Sequence, residues 1–290
     1  MTSKNIVAGC VVLFNANIDV LNNIETYQIY VNKLFIIDNS SSPNPLIVDY
    51  VDGKSNIVYI PLNDNTGIAN ALNVACELAL NEGFEWILTM DQDSKFVSKE
   101  IFDYDYKKMQ RDGVAIVAAA YTKNVNRKVF ENENLLSVNT VITSGNILQL
   151  EAWLKVGKFK NFMFIDEVDN EFCLRLKLAS YLILVTRQLG LSHNLGEKIS
   201  ATFIYKNLLI TIHSPLRVYY MVRNTFYISK LYVFKFPLVI LERLYTLTKS
   251  VIKIIFFYKS KGLYCRYIYY GISDFLKSKY GKFEVNRQKV

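Results

Sequence analysis

The chain has little with which to build a structural metal site or a disulfide framework. It carries four cysteines and two histidines. Cys10, Cys76, Cys173 and Cys265 are far apart and form no C-x-x-C pair, so neither a zinc site nor a set of disulfides is indicated. Cys10, Cys76 and Cys173 lie in apolar surroundings and read as small core residues, which fits a reducing, cytosolic compartment. The sequence has no G-x-G-x-x-G and no G-x-x-x-x-G-K-[ST], so it supports neither an ordinary dinucleotide site nor a P-loop. It has no uninterrupted apolar stretch of ~18–20 residues, which argues against a spanning helix. Its opening residues, Met1-Thr2-Ser3-Lys4-Asn5, show no signal-peptide pattern.

What is present is a globular chain of 290 residues, 51% hydrophobic and 21% charged, of a size that predicts one large domain with an appendage. The net charge of +8 is unevenly spread. Residues 201–290 hold 16 Lys+Arg against 3 Asp+Glu, and residues 1–200 hold 18 against 23. A basic part of this kind suits an anionic partner, either a membrane surface or nucleic acid, unless it is simply a solvated face. From Pro215 onward aromatic and basic residues interleave, with Lys230, Lys235, Arg243, Lys249 and Lys253 recurring among apolar groups. The pattern predicts helices lying in a headgroup interface with lysines reaching outward, broken or kinked at Pro237. Single-stranded nucleic acid is the weaker reading, because no recognised nucleic-acid module precedes the segment.

Before that segment, strands and helices alternate. Ile6–Phe14, Lys33–Ile37, Ile57–Pro61, Trp86–Met90 and Gly113–Ala120 read as buried strands. Asp19–Val31, Ile68–Asn81 and Leu148–Val156 have helical spacing, and Gly83 follows the second as a closing glycine. The alternation predicts an α/β fold with a mainly parallel sheet and helices on both faces. The fourth strand runs into Asp91-Gln92-Asp93. In an open α/β sheet ligands gather at the C-terminal strand ends, and two carboxylates at such an end suit Mg²⁺ or Mn²⁺, which in turn suit phosphates. Taken alone, the pair also fits two solvated loop acids. A second acidic cluster, Asp166-Glu167-Val168-Asp169-Asn170-Glu171, precedes an amphipathic helix, where the helix dipole favours acids and Asp169 or Asn170 suits an N-cap. Each of the two histidines, His193 and His213, reads first as structural.

Several passages, taken in order, resemble family-2 glycosyltransferases of the GT-A fold, and most of all bacterial rhamnosyltransferases that build surface polysaccharides such as O-antigen or capsule. These are Val11-Val12-Leu13-Phe14-Asn15, Phe35-Ile36-Ile37-Asp38-Asn39-Ser40-Ser41, Asn63-Asp64-Asn65-Thr66-Gly67-Ile68-Ala69 with Asn73, and Met90-Asp91-Gln92-Asp93-Ser94. The acidic passage ending Cys173-Leu174-Arg175, the passage Leu191-Ser192-His193-Asn194-Leu195-Gly196 and the segment Arg217-Tyr219-Tyr220-Arg223-Asn224 continue it. The resemblance covers about residues 5–225. It implies a GT-A domain over 1–214, while composition alone makes 215–290 a basic, aromatic, membrane-associating helical region. It implies an inverting, metal-dependent transferase with Asp169 as base, although Glu167 and Glu171 lie close enough to contend. Asn15, Asp38, Asn65, Gly67, Asn73, Asp91, Ser144 and Gly145 would contact the nucleotide sugar, and Asp93, His193 and Asp91 would hold Mg²⁺ or Mn²⁺. The donor it implies is dTDP-L-rhamnose, with a UDP-hexose as the rival. The acceptor is a lipid-linked saccharide at the inner face of the cell membrane, and no nucleic acid is involved. A non-catalytic nucleotide-sugar-binding protein is the alternative from another class.

Overall fold

The computed structural model describes residues 7–97, 112–121, 135–193, 198–203, 206–211 and 213–284. The polar stretch 122–134 and the end of the His193 passage, 194–197, lie outside them. By its contacts the chain divides into two units. One is Met1–Lys160 with Asp169–Asn194, and the other is Asn161–Val168 with Leu195–Val290.

The first unit is built on a sheet whose nucleus is four parallel strands: β1 (Val7–Leu13), β2 (Lys33–Asp38), β3 (Ile57–Pro61) and β4 (Trp86–Asp91), in the order β3-β2-β1-β4. Every residue of β1 is buried, as expected of a strand covered on both faces. Residues two apart share a face. Val7, Val11 and Leu13 therefore join one cluster with Val20 and Ile24 of α1 (Val20–Ile24) and Ile47 of α2 (Pro45–Val51). Helix α3 (Ile68–Asn81) packs on β1, β2 and β4. Gly83 follows it at φ 82°, the left-handed conformation suited to a chain leaving a helix.

Beyond β4 the predicted mainly parallel sheet becomes mixed. The strand β8 (Asn146–Gln149) lies antiparallel between β4 and β6 (Val114–Tyr121). Next to β6 comes β9 (Leu182–His193), parallel to it, and β9 also pairs antiparallel with β5 (Ser94–Phe96) and β7 (Leu135–Ser137). The helix expected over Leu148–Val156 is thus half strand, and α4 covers only Leu150–Lys155. Gly145 explains the reversal. At φ 80° it donates its N–H to the Thr89 carbonyl at 2.8 Å and accepts from Ala119 N–H at 2.9 Å, so it sits between β4 and β6 where β8 begins. Helix α2 lies in a stretch to which the sequence pattern assigns no element. Asn44 caps it by accepting from Leu46 N–H at 3.1 Å, and Pro45 fills the first helical position.

Asn73 of α3, expected at the donor site, faces the core instead. Its side-chain oxygen accepts from the Trp153 indole and from Phe159 N–H, each at 3.0 Å, and its NH₂ donates to the Phe159 carbonyl at 2.9 Å. The amide is the buried clamp between α3 and the α4 segment.

In the second unit, α6 (Pro215–Tyr232), α7 (Pro237–Phe257) and α8 (Lys261–Leu276) follow an antiparallel pair, β10 (Lys198–Phe203) and β11 (Lys206–Thr211). Ser214 caps α6 through Arg217 N–H at 3.2 Å, and Pro237 opens α7, which is the break its sequence position foretold. Helices α6 and α8 cross closely at Gly271, where a Cβ would stand 2.8 Å from the Tyr219 carbonyl oxygen. Among the described residues no helix is long and apolar enough to cross a membrane. Cys10, Cys76 and Cys173 are buried and Cys265 on α8 is exposed.

His213 leads into α6. Its carbonyl accepts from the Tyr264 hydroxyl at 2.9 Å and its N–H donates to the Tyr258 hydroxyl at 3.2 Å. Burial, followed by the charges of Arg217 and Lys253, lowers its imidazole from 6.5 to about 4. The unfolded chain therefore takes up a proton that the folded chain refuses, and stability is lost as pH falls from about 6.5 toward 4. Thermal melts across that window should show a slope that His213→Gln reduces. Asn73→Ala strands buried partners and should cost roughly 2–4 kcal/mol in urea denaturation. Asn73→Ala at wild-type stability would contradict the clamp.

Candidate active site

The parallel register sets the site. Leu13 stands opposite Asp38 and Val12 opposite Asp91, so β2, β1 and β4 end in one row. The chain runs β1-β2-β3 to one side and then crosses to β4 on the other, so this row is the sheet's switch point, where crevices form.

The residues just past the row are tied together by polar side chains. Asp38 is 2% exposed. One of its carboxylate oxygens accepts from the Tyr59 hydroxyl and the other from Ser40 N–H at 3.0 Å. Burial, the hydrogen bond and the Asp38 charge push the Tyr59 hydroxyl well above its usual range, so Tyr59 stays a donor. Ser40 Oγ then accepts from Asn15 N–H at 2.7 Å, with Asn15 exposed at φ 47°. Asn39 is the hub. Its N–H reaches the Leu13 carbonyl at 2.8 Å, its side-chain oxygen accepts from Thr66 N–H at 2.8 Å, and its NH₂ donates to Asn65 Oδ1 at 3.1 Å. Asn65 Oδ1 also accepts from Gly67 N–H at 3.2 Å, which fixes the turn into α3 at Gly67, φ 88°. Asn15, Asp38, Asn65 and Gly67 thus share one network. Asn39, Ser40 and Tyr59 complete it but had not been singled out as site residues. The signal for the first two was the Asn-Ser turn chemistry after β2.

Asp91 ends β4 and Asp93 follows it, both partly exposed. Gln92 between them does structural work. Its side-chain oxygen accepts from Phe14 N–H at 2.8 Å, its NH₂ donates to the Phe14 carbonyl at 3.3 Å, and its own carbonyl accepts from Asn23 Nδ2 at 2.8 Å. A side-chain amide here imitates a peptide and adds one more rung between β1 and β4. Ser144, 1% exposed, accepts from Asp91 N–H at 3.1 Å. Ser144 and Gly145 therefore bear on Asp91 and the β4 edge through the backbone. The Asp91 charge reaches inward. After burial, which is the larger cause, it helps to raise the Cys10 thiol.

Ser94, directly after Asp93, pairs across the β5–β9 ladder with His193, so the backbone brings Asp93 and His193 to adjacent positions. Among the described residues no group of three or more His, Cys, Asp or Glu forms a ready-made metal cage. Two carboxylates at a strand end fit a Mg²⁺-like cation, which keeps water and phosphate among its ligands.

The second acidic cluster separates into distinct roles. Helix α5 (Val168–Leu178) begins before Asp169, which therefore stands in the first turn rather than at the cap. Its Oδ1 accepts from Asn170 N–H at 2.8 Å. Asp169 lines a small cavity with Thr89, Thr143, Asn146, Phe159 and Phe172. Glu171 is 1% exposed and bound by Arg175, with Nε to its two oxygens at 2.8 and 3.0 Å and Nη2 to Oε2 at 2.8 Å. Arg175 also donates to the Val156 and Lys158 carbonyls. Glu171 is a structural counter-charge. Glu167, in the second unit, accepts from the Thr225 hydroxyl at 3.3 Å.

Comparison with known proteins fits this geometry. The chain is 27% identical over 232 residues to the dTDP-rhamnosyl transferase RfbF of Shigella flexneri, covering 74% of this chain and 77% of that protein. Among solved structures it superposes on the mannosyltransferase PcManGT of Pyrobaculum calidifontis, crystallised with GDP-Man and Mn²⁺, at a TM-score of 0.61 and 13% identity over 96% of this chain and 89% of that one. It also superposes on GalNAc-T7 with UDP, GalNAc and Mn²⁺ at 0.54 and 8% identity, covering 67% of this chain but only 44% of that longer one. These structural likenesses establish the α/β fold as GT-A-like. Residues 18–171 match the family model described as Glycosyl transferase family 2. With just over half its length matched and a curated rhamnosyl transferase as a relative, the chain belongs to glycosyl transferase family 2 and is a glycosyltransferase.

Proposed function

We propose that the protein transfers L-rhamnose from dTDP-L-rhamnose, with inversion, to a lipid-linked saccharide at the inner face of the cell membrane, in the synthesis of a bacterial surface polysaccharide. The observation that carries the donor is the 27% identity to a dTDP-rhamnosyl transferase over 74% of the chain. In this reading Asn15, Asp38, Asn65 and Gly67 form the nucleotide side of the crevice. Asp93, with Asp91 and His193, would hold Mg²⁺ or Mn²⁺, which when bound neutralises the leaving diphosphate as a Lewis acid. Gln92 and Ser144 fix the backbone of the acidic pair. Asp169 takes the proton from the acceptor hydroxyl as its oxygen attacks the anomeric carbon from the face opposite the diphosphate, and that geometry inverts the configuration. Among the contending acids Glu171 is already spent on Arg175, which supports Asp169 as the base.

The membrane part of the proposal rests on α7. Ile240, Leu247 and Ile254 form its buried side. A second apolar stripe, Leu238, Leu241, Tyr245, Ile252, Ile255 and Phe256, recurs at helical steps and is exposed, with Leu238 at 79% and Phe256 at 63%. Lys249 and Lys253 border it, and Lys249 lies over the Tyr245 ring at 5.0 Å. A stripe of this composition suits the headgroup boundary of an anionic bilayer.

Incubation with dTDP-L-rhamnose, Mn²⁺ and a lipid-linked acceptor should give transfer that chelator abolishes. Asp169→Asn should lower turnover roughly 10²–10⁴-fold with thermal stability retained. Glu171→Gln should do the reverse, lowering stability while the folded fraction still turns over. Wild-type turnover in Asp169→Asn would remove the base. For the membrane, wild type should co-sediment with vesicles containing anionic lipid, and Leu238→Ser with Leu241→Ser should weaken that binding severalfold. Equal sedimentation of the two proteins would count against the stripe.

A further inference from the structure

The segment Arg217-Tyr219-Tyr220-Arg223-Asn224 has no place in the chemistry above, yet it contains a heavily bonded buried polar pair. Arg223 and Asn224 are 0% and 1% exposed. The Asn224 NH₂ donates to the carbonyls of Met163, Ile165 and Asp166 at 2.9, 2.8 and 3.0 Å. Arg223 holds that amide in orientation, its Nε donating to Asn224 Oδ1 at 3.0 Å. Its other nitrogens donate to the carbonyls of Phe162, Met163 and Gly281 and to the Tyr219 hydroxyl.

The segment they grip needs holding. Phe164, Asp166 and Glu167 have φ of 69°, 60° and 63°, conformations that residues other than glycine adopt only when their surroundings impose them. Further groups of α6 act on the same few residues. The Tyr220 ring stacks on Phe164 with centroids 5.0 Å apart, Arg217 pairs with the Asp166 carboxylate at 3.2 Å, and Thr225 donates to Glu167. The chain then passes directly into α5, with Asp169 in its first turn.

We infer that Arg223 and Asn224 are positioning residues. They hold the left-handed turn 164–167 so that the chain enters α5 with Asp169 in its working place. The inference rests on Asp169 being the base. Misplacing a reacting group by about 1 Å can cost on the order of 10²-fold in rate.

Asn224→Asp keeps the shape and the acceptor for Arg223 but sets a carboxylate against three carbonyl oxygens. In the full chain it should lower kcat about 100-fold, leave KM for the nucleotide sugar within about threefold, and speed amide exchange in peptides covering 162–170 while those of β1–β4 are unchanged. Arg217→Gln, on the more exposed rim, should fold normally and lower kcat about fivefold by the same route, which covers the case in which Asn224→Asp does not fold. Arg223→Lys should keep more turnover than Arg223→Met. Unchanged kcat in folded Asn224→Asp overturns the inference. So does a parallel rise of KM and loss of exchange protection across β1–β4, which would mean a general structural role. Turnover is followed as nucleotide release from dTDP-L-rhamnose and from UDP- and GDP-sugars. Wild type inactive with the first but active with another then counts against the donor reading only.

Discussion

The shared register of β2, β1 and β4 is the constraint on which the first unit depends. Parallel strands send their last carbonyls and N–H groups toward the same edge, and there the ladder ends with polar groups to satisfy. Side chains answer that need here. Asn39 takes up the end of β1 and the turn into α3, Gln92 supplies one more rung between β1 and β4, and Ser144 meets the N–H of Asp91. These residues fix the backbone that carries Asp91 and Asp93 at the C-terminal end of β4. Preorganisation of this kind leaves little reorganisation for the moment a substrate arrives.

The acidic stretch around α5 shows how one local composition yields separate tasks. Glu171 lies two residues from Asp169, which places it on a different side of the helix, and Arg175 one turn on captures it. A buried carboxylate bound by a guanidinium that also serves two main-chain carbonyls is fixed in place. Asp169 faces a cavity of threonine, asparagine and phenylalanine side chains instead. Asp166 and Glu167 belong with α6.

The sequence reading was strongest where periodicity is local. Ile57–Pro61 and Ile68–Asn81 have the bounds their residues suggested, and Pro237 begins a helix as expected. It failed where a partner far along the chain decides. Leu148 belongs to both a helical and an extended pattern, and only its pairing with Ile87 and Ile116 makes Asn146–Gln149 a strand. That strand is what turns a parallel sheet into a mixed one. Asn73 belongs to the helix that the resemblance places at the donor site, but its side chain is bonded to Trp153 and Phe159, 80 and 86 residues later. The α2 helix was not expected from its sequence, although Asn44-Pro45 is itself a helix-start signal. The Glu171–Arg175 pair was within reach of the sequence, since its i,i+4 spacing is the one that meets on a helix.

The distribution of thiols has a practical corollary. Cys10, Cys76 and Cys173 are buried, and burial raises all three, Cys173 to about 12. Since only the thiolate attacks an electrophile, these three are chemically silent at neutral pH in the folded protein. Cys265 alone is exposed, on α8. The native chain thus carries a single addressable sulfur in its helical unit, and a fluorophore or spin label can be attached there without removing any other cysteine.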